Sequence, residues 1–418
     1  MKKLVSIILA AFTTMTCFSS CSLINSFTSQ NQTSSNSSSE EQIENNIKRL
    51  DMNNLAINID GIAQYDFSRN KVFGSAYYVY HYGAEVEKCY GTTSVNSDTA
   101  ITNKTIFRLA SMSKPITAVA ALVLVERGLL SLDDPVDKYL PNFKNIKIVN
   151  ASGSKAPQNM PTIRNILNHT AGIGGEQSKL NSMTAEDKKT LDNSIAFYIR
   201  IGLDFEPGTK QQYSGSGSFD VLTKIIEIVS GMDYLSFLQD YVLGPCGMVD
   251  TTFTPNAEQQ SRMVDMHNRN EDGNAVYPMP KDCIFEDFPS THYLGGAGLV
   301  STLSDYSKFA IMLLNKGKGE KGRILKEETL NLLCTPQVSY EIMPQNARWG
   351  LGVRVITEPS YTYLSVGSFG WSGAYGSHFW IDPENKIVAV YMKNSRVDGG
   401  AGNESAVNFE IAVHSALL

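Results

Sequence analysis

Apolar and polar positions fall into runs of different period along this chain, and each run predicts its own element. Phe73 to Tyr82 (FGSAYYVYHY) is rich in aromatic and β-branched residues and predicts a strand. Gly83 then turns the chain, and Glu85 to Tyr90 reads as the returning strand. Ahead of this hairpin, Glu41 to Ile62 is polar with spaced apolar residues, the pattern of an amphipathic helix. Met112 to Arg127 differs: Ala118 to Val125 (AVAALVLV) is apolar on every side, and Gly128 supplies a stop. A helix hydrophobic all round belongs in the middle of a domain. From Leu129 to about Gly319 the signals are mainly helical, interrupted by loop-rich pieces at Asn150 to Pro161 and Glu206 to Ser218. Strand patterns return at Trp349 to Ile356, Gly376 to Ile381 and Ile387 to Lys393, and Glu404 to Leu417 predicts a closing helix. The expected fold class is therefore α/β in the α+β sense: an antiparallel sheet from both chain ends, flanked by helices, with a mostly helical region inserted.

The first residues read differently. Lys2 and Lys3 precede an apolar run, Leu4 to Phe12, which is too short to span a bilayer. Cys21, after Phe18-Ser19-Ser20, resembles the lipid-attachment cysteine of bacterial lipoproteins. Ser22 to Asn46 is Ser/Asn-rich and cannot bury enough apolar area to fold. The expected organisation is an export signal with a lipidation site over 1–21, a flexible tether over 22–46 and one folded domain over 47–418. This implies a place in the bacterial cell envelope, held to a membrane by an N-terminal lipid anchor, with a soluble secreted form as the alternative.

Composition narrows the function classes. The net charge is −6 with 19% charged residues and no basic run, which gives a nucleic-acid partner no support. Cys89, Cys246, Cys283 and Cys334 are scattered without a C-x-x-C pair, so a zinc site is not expected. One disulfide or four free thiols both remain open. The six histidines are dispersed and no H-E-x-x-H occurs, which counts against a metallohydrolase. No G-x-S-x-G nucleophile elbow is present either.

Three constellations carry candidate chemistry. Ser111 and Lys114, spaced three apart at the entry of the apolar helix, share one helical face. Burial and the positive end of the helix dipole both favour the neutral amine there, which can take the proton of a serine hydroxyl. The free N–H groups of the first turn could help hold an oxyanion. Tyr213-Ser214-Gly215 follows the turn Glu206-Pro207-Gly208, and a tyrosine near such a pair can relay protons. Trp371-Ser372-Gly373-Ala374 follows Gly367 and Gly370 at an expected sheet edge, where glycine permits close approach of a substrate. His169, in LNHTAG, is expected to brace a loop.

These elements, in this order, resemble the serine β-lactamase and penicillin-binding protein superfamily, in its class C β-lactamase-related branch of esterases and D-amino peptidases. FRLASMSK, LNHTAGI, PGTKQQYSGSG, GGAGLVSTLSDYSKFAIMLL and GWSGAYGSHFWIDP carry the resemblance, which spans about Asn54 to Leu418. It implies a sheet-containing α/β domain beside an all-helical one, with the site between them and no metal or cofactor. It further implies Ser111 as acylated nucleophile, Lys114 as its activating partner and Tyr213 as base or proton relay. The Ala374 and Ser111 N–H groups would form an oxyanion hole, with Trp371, Ser372, Gly373 and Gly215 lining the substrate. Two positions depart from the β-lactamase pattern. Gly215 replaces the asparagine of Tyr-x-Asn, and Trp371-Ser372-Gly373 replaces Lys-Thr-Gly. The tryptophan brings apolar surface where a lysine would meet a substrate carboxylate. The expected activity is hydrolysis of short acyl esters; the alternatives are a β-lactamase or DD-peptidase acting on cell-wall peptides, and a silent penicillin- or peptidoglycan-binding protein.

Overall fold

A single eight-stranded antiparallel sheet organises the molecule, and its strands come from the two ends of the chain. The computed structural model describes residues 48–418 apart from positions 272 and 361, so the expected export signal, Cys21 and tether lie outside the described residues. Helix α1 (Met52–Ser68) leads into β1 (Gly74–His81), β2 (Ala84–Ser94) and β3 (Ser97–Ala100). Helix α2 (Ser113–Glu126) follows, and then a long segment containing α3 (Gly217–Ser230) and α4 (Leu303–Leu314). The chain returns through β4 (Ala347–Trp349), β5 (Arg354–Ile356), β6 (Phe369–Ser372), β7 (His378–Asp382) and β8 (Ile387–Met392), and ends in α5 (Glu404–His414). The strand order is β4-β5-β6-β7-β8-β1-β2-β3. Central β8 is buried throughout, as its unbroken apolar run requires for a strand covered on both faces.

Two cores lie on the two sides of the sheet. The larger surrounds α2, where every residue from Ser113 to Leu124 is buried. The smaller lies under α1 and α5 and contains Leu55, Ile59, Tyr77, Trp380, Tyr391 and Phe409. The chain ends meet there, with Leu50 bridged to Leu417.

Several boundaries differ from the sequence reading for local reasons. The first helix begins at Met52 because Asp51 caps it, accepting from the amides of Asn53 and Asn54 at 3.0 Å, and it runs on to Ser68. Trp349 to Ile356 is two strands rather than one, because the Gly350 amide bonds to Val353 O at 2.9 Å and closes a turn. The strand expected from Gly376 begins at His378, after a turn in which Gly376 adopts φ +94°. Among the described residues, the helical middle also holds three short hairpins, at Ile148–Lys155, Met266–Tyr277 and Cys283–Pro289. Cys89, Cys246 and Cys334 are free thiols; only Cys246 is fully buried.

Candidate active site

Ser111 lies on a one-turn 3₁₀ segment, Ala110–Met112, that feeds directly into α2. The preceding Ala110 has φ +46°, a left-handed conformation costing a non-glycine residue about 1–2 kcal/mol. The surrounding structure enforces that turn. The Asn394 side chain brackets Arg108, accepting from its amide and donating to its carbonyl at 2.8 Å each. Behind the serine, Tyr306 donates to Met112 O at 2.9 Å. The end of β6 presses from the other side, where a Cβ on Gly373 would lie 2.4 Å from Leu109 O. Only glycine fits that contact.

Lys114 is fully buried, and Ser111 is 8% exposed. Lys114 Nζ stands 3.4 Å from Ser111 Oγ and donates to Gly215 O at 2.6 Å and Gly296 O at 2.9 Å. Two of its tetrahedral positions are thus taken by carbonyls, leaving the third for Ser111 Oγ. The surroundings of Nζ are accordingly not the purely apolar ones that the helix sequence suggests. Glycine at 296 keeps this approach close, since a Cβ there would lie 3.0 Å from Gly215 O and 3.2 Å from Lys114 Nζ.

Tyr213 Oη lies 2.7 Å from Ser111 Oγ, a hydrogen bond in which the neutral phenol donates. Lys114 Nζ is also 4.9 Å from the centre of the Tyr213 ring. The tyrosine is set by His169 on both sides: Gln212 N donates to His169 O at 3.0 Å, and Ser214 N to His169 Nδ1 at 3.2 Å. Burial, reinforced by the nearby Lys114 charge, holds His169 well below the usual histidine range, so it acts as a neutral brace. Tyr213 packs on Trp349 at 5.9 Å between ring centres, and Trp349 meets Trp371 edge-on at 4.5 Å. Trp371 Nε1 in turn reaches Tyr213 Oη at 3.4 Å.

The third motif is only partly brought to the site. β6 is an interior strand, yet its pairing with β5 stops at Gly370, so Trp371 and Ser372 form a local edge. Strand alternation sends the Trp371 side chain towards Tyr213 and that of Ser372 to the opposite face, where it bonds His378. The expectation that the Ser372 side chain lines the substrate is corrected accordingly. Gly373 donates to Ser377 O at 2.7 Å. Gly215 and Ala374 are exposed at the rim, and nothing lies within 4 Å of a Cβ placed on Gly215. Among the described residues, neither the Ser111 nor the Ala374 amide has a backbone acceptor. Trp349, Gly295 and Gly296 were not singled out from the sequence. Both glycines fall within GGAGLVS, but spacing gives no sign that Gly296 O reaches Lys114. No group of His, Cys, Asp or Glu suited to a metal ion occurs among the described residues.

An antiparallel sheet flanked by helices, with a serine, lysine and tyrosine converging at the start of a buried helix, defines a serine hydrolase of the β-lactamase and transpeptidase type. Residues 52–411 match the Beta-lactamase family, and the chain belongs to it. It is 27% identical over 384 residues to esterase EstB of Burkholderia gladioli, covering 84% of this chain and 94% of that one. A putative D-alanyl-D-alanine carboxypeptidase of Escherichia coli K12 is 25% identical over 324 residues, 73% of this chain and 72% of the relative. The solved structure of EstCE1, a hydrolase with promiscuous acyltransferase activity, shares the fold. Its TM-score is 0.74 at 23% identity, over 87% of this chain and 99% of that one.

Proposed function

We propose that the chain is an exported esterase that hydrolyses short acyl esters through an acyl-enzyme at Ser111. The observation that carries this reading is the convergence of Tyr213 Oη and Lys114 Nζ on Ser111 Oγ, at 2.7 and 3.4 Å. Ser111 Oγ bonds to the acyl carbon as its proton passes through Tyr213 and Lys114 to the departing alcohol. The amides of Ser111 and Ala374 take the developing oxyanion, a contribution worth roughly 10²–10³ in rate per donor. Water then attacks the acyl carbon, and its proton is relayed through Tyr213 to Ser111 Oγ as the bond from Ser111 to the acyl group breaks, so the acid leaves and the serine regains its hydrogen.

Ester preference is supported by what stands around the serine. Trp371 places an indole where a lysine would bind a substrate carboxylate, and Gly215 leaves open space where an amide would contact a peptide. The esterase name of the EstB relative agrees with this reading. The test is turnover of a p-nitrophenyl acyl ester beside a chromogenic cephalosporin, for wild type and Ser111→Ala. Ester turnover that vanishes in the variant, with little cephalosporin turnover, is expected. Strong Ser111-dependent cephalosporin turnover would make the chain a β-lactamase instead. Neither activity in folded protein would favour a narrow cell-wall peptide substrate or a silent binder.

Placement in the envelope rests on Lys2, Lys3, the apolar run to Phe12 and Cys21. Labelled fatty acid should enter the full chain and be lost in Cys21→Ala. Equal labelling of both would sink the lipid anchor.

A further inference from the structure

We propose that Ser372, His378 and Glu410 form a second acyl-accepting serine site, on the outer face of the sheet, which takes small neutral acyl esters independently of Ser111. Register creates the group. Ser372 of β6 pairs directly with His378 of β7, so their side chains stand together on the face turned away from Trp371. Ser372 Oγ is 2.8 Å from His378 Nδ1, and His378 Nε2 is 2.9 Å from Glu410 Oε1 on α5. Burial alone would raise the Glu410 carboxyl, but the hydrogen bond from His378, with Thr362 and Arg354, holds it below the usual range. An anionic Glu410 keeps the proton on Nε2, which leaves Nδ1 free to accept the Ser372 hydroxyl proton. That is the order of nucleophile, base and orienting carboxylate, with the two ring nitrogens exchanged relative to the serine-protease template.

A cavity lies in front of the group. Gly370, without a side chain, sits in the row between Arg354 and Trp380. The cavity there, beside the exposed Ala401 and Gly402, has a volume of about 80 Å³. Its walls are evenly polar and apolar, and Ile356, Leu364, Trp380 and Val407 give the apolar part that a short acyl chain would meet. Arg354 lines the same space and supplies positive charge towards an oxygen that becomes negative. Glu410 in the wall repels carboxylates, which is why neutral esters are the class it takes.

In the step proposed, Ser372 Oγ forms a bond to the acyl carbon while the ester C–O bond breaks. The hydroxyl proton moves to His378 Nδ1 and then to the departing alkoxide, which leaves as the alcohol. Water adds to the acyl carbon with His378 again accepting its proton, the acid departs, and Ser372 regains its hydrogen.

The experiment treats full-length Ser111→Ala protein with diisopropyl fluorophosphate, a small serine-directed probe, and maps the adduct by peptide mass spectrometry. One adduct is expected, on Ser372. Its formation should slow by roughly tenfold or more when His378→Gln or Glu410→Gln is added. Wild type labelled at Ser111, beside Ser111→Ala with Ser372 unlabelled, overturns the proposal. Labelling of Ser372 at an unchanged rate in folded His378→Gln or Glu410→Gln protein overturns it as well. Because each serine is read on its own peptide, an unreactive Ser111 would count against the proposed function and leave this site to be judged separately. Should His378→Gln fail to fold, Glu410→Gln decides the dependence, and the adduct on Ser111→Ala decides the site.

Discussion

At the scale of single residues, two functional groups converge on the Ser111 oxygen, and their roles separate by chemistry. Tyr213→Phe keeps the ring that packs against His169 and Trp349 but removes the hydroxyl 2.7 Å from Ser111 Oγ. Ester kcat should fall by roughly 10²–10⁴ with little change in KM, since proton relay acts in the transition state. An unchanged kcat in steady-state assays would exclude the tyrosine from the relay. His169 makes a different prediction, about stability. Its folded form resists protonation well below 6.5, whereas the unfolded chain takes a proton near that value. The unfolded state therefore binds more protons once pH drops below about 6.5, and the native state loses up to about 1.4 kcal/mol per pH unit from this group. Urea midpoints of wild type should fall more steeply between pH 6.5 and 5 than those of His169→Gln; parallel curves would refute the assignment. Ser111, Lys114 and Tyr213 were legible as candidates from their spacing and order. The carbonyls of Gly215 and Gly296 around Lys114 were not, because backbone atoms carry no sequence mark of where they point.

At the scale of elements, the site depends on how closely β6 meets the turn before α2. Gly373→Ala would set a methyl 2.4 Å from Leu109 O and 2.3 Å from Ser377 Oγ. Overpacking of this kind costs about 1–3 kcal/mol, and relief requires β6 or the nucleophile turn to move. We expect a lowered urea midpoint together with a kcat loss greater than the change in KM. Full activity with unaltered stability would show that the contact is not needed. The sequence marked α2 as buried because its apolar positions surround the whole helix, and the structure places it at the centre of the larger core. It did not separate β4 from β5, since Trp349 to Ile356 reads as one strand until the Gly350–Val353 turn is seen. Nor did it reveal that Trp371 and Ser372 face opposite ways, because which face of a strand meets the site depends on its neighbours.

At the scale of the whole molecule, the first and last segments complete each other. α1 and α5 cover one face of the sheet, joined by Asn58 Nδ2 to Ala412 O at 3.2 Å and Tyr65 OH to Glu404 at 2.8 Å. Deleting residues 404–418 would uncover Trp380, Tyr77 and Tyr391, all now within the smaller core. The expected outcome is loss of cooperative unfolding by circular dichroism and of all ester turnover; a folded, active truncation would contradict this account. The sequence alone determined the sheet-and-helix class and the central apolar helix. It also offered the serine, lysine and tyrosine as candidates, through their spacing and through resemblance to a known family, because both are properties of the chain itself. Tertiary structure alone decided that β8 lies beside β1, that residues 102 positions apart share a hydrogen bond at Ser111 and that Ser372 serves the other face. Those outcomes depend on register and on contacts between distant segments, which are fixed only when both sides of each contact are folded.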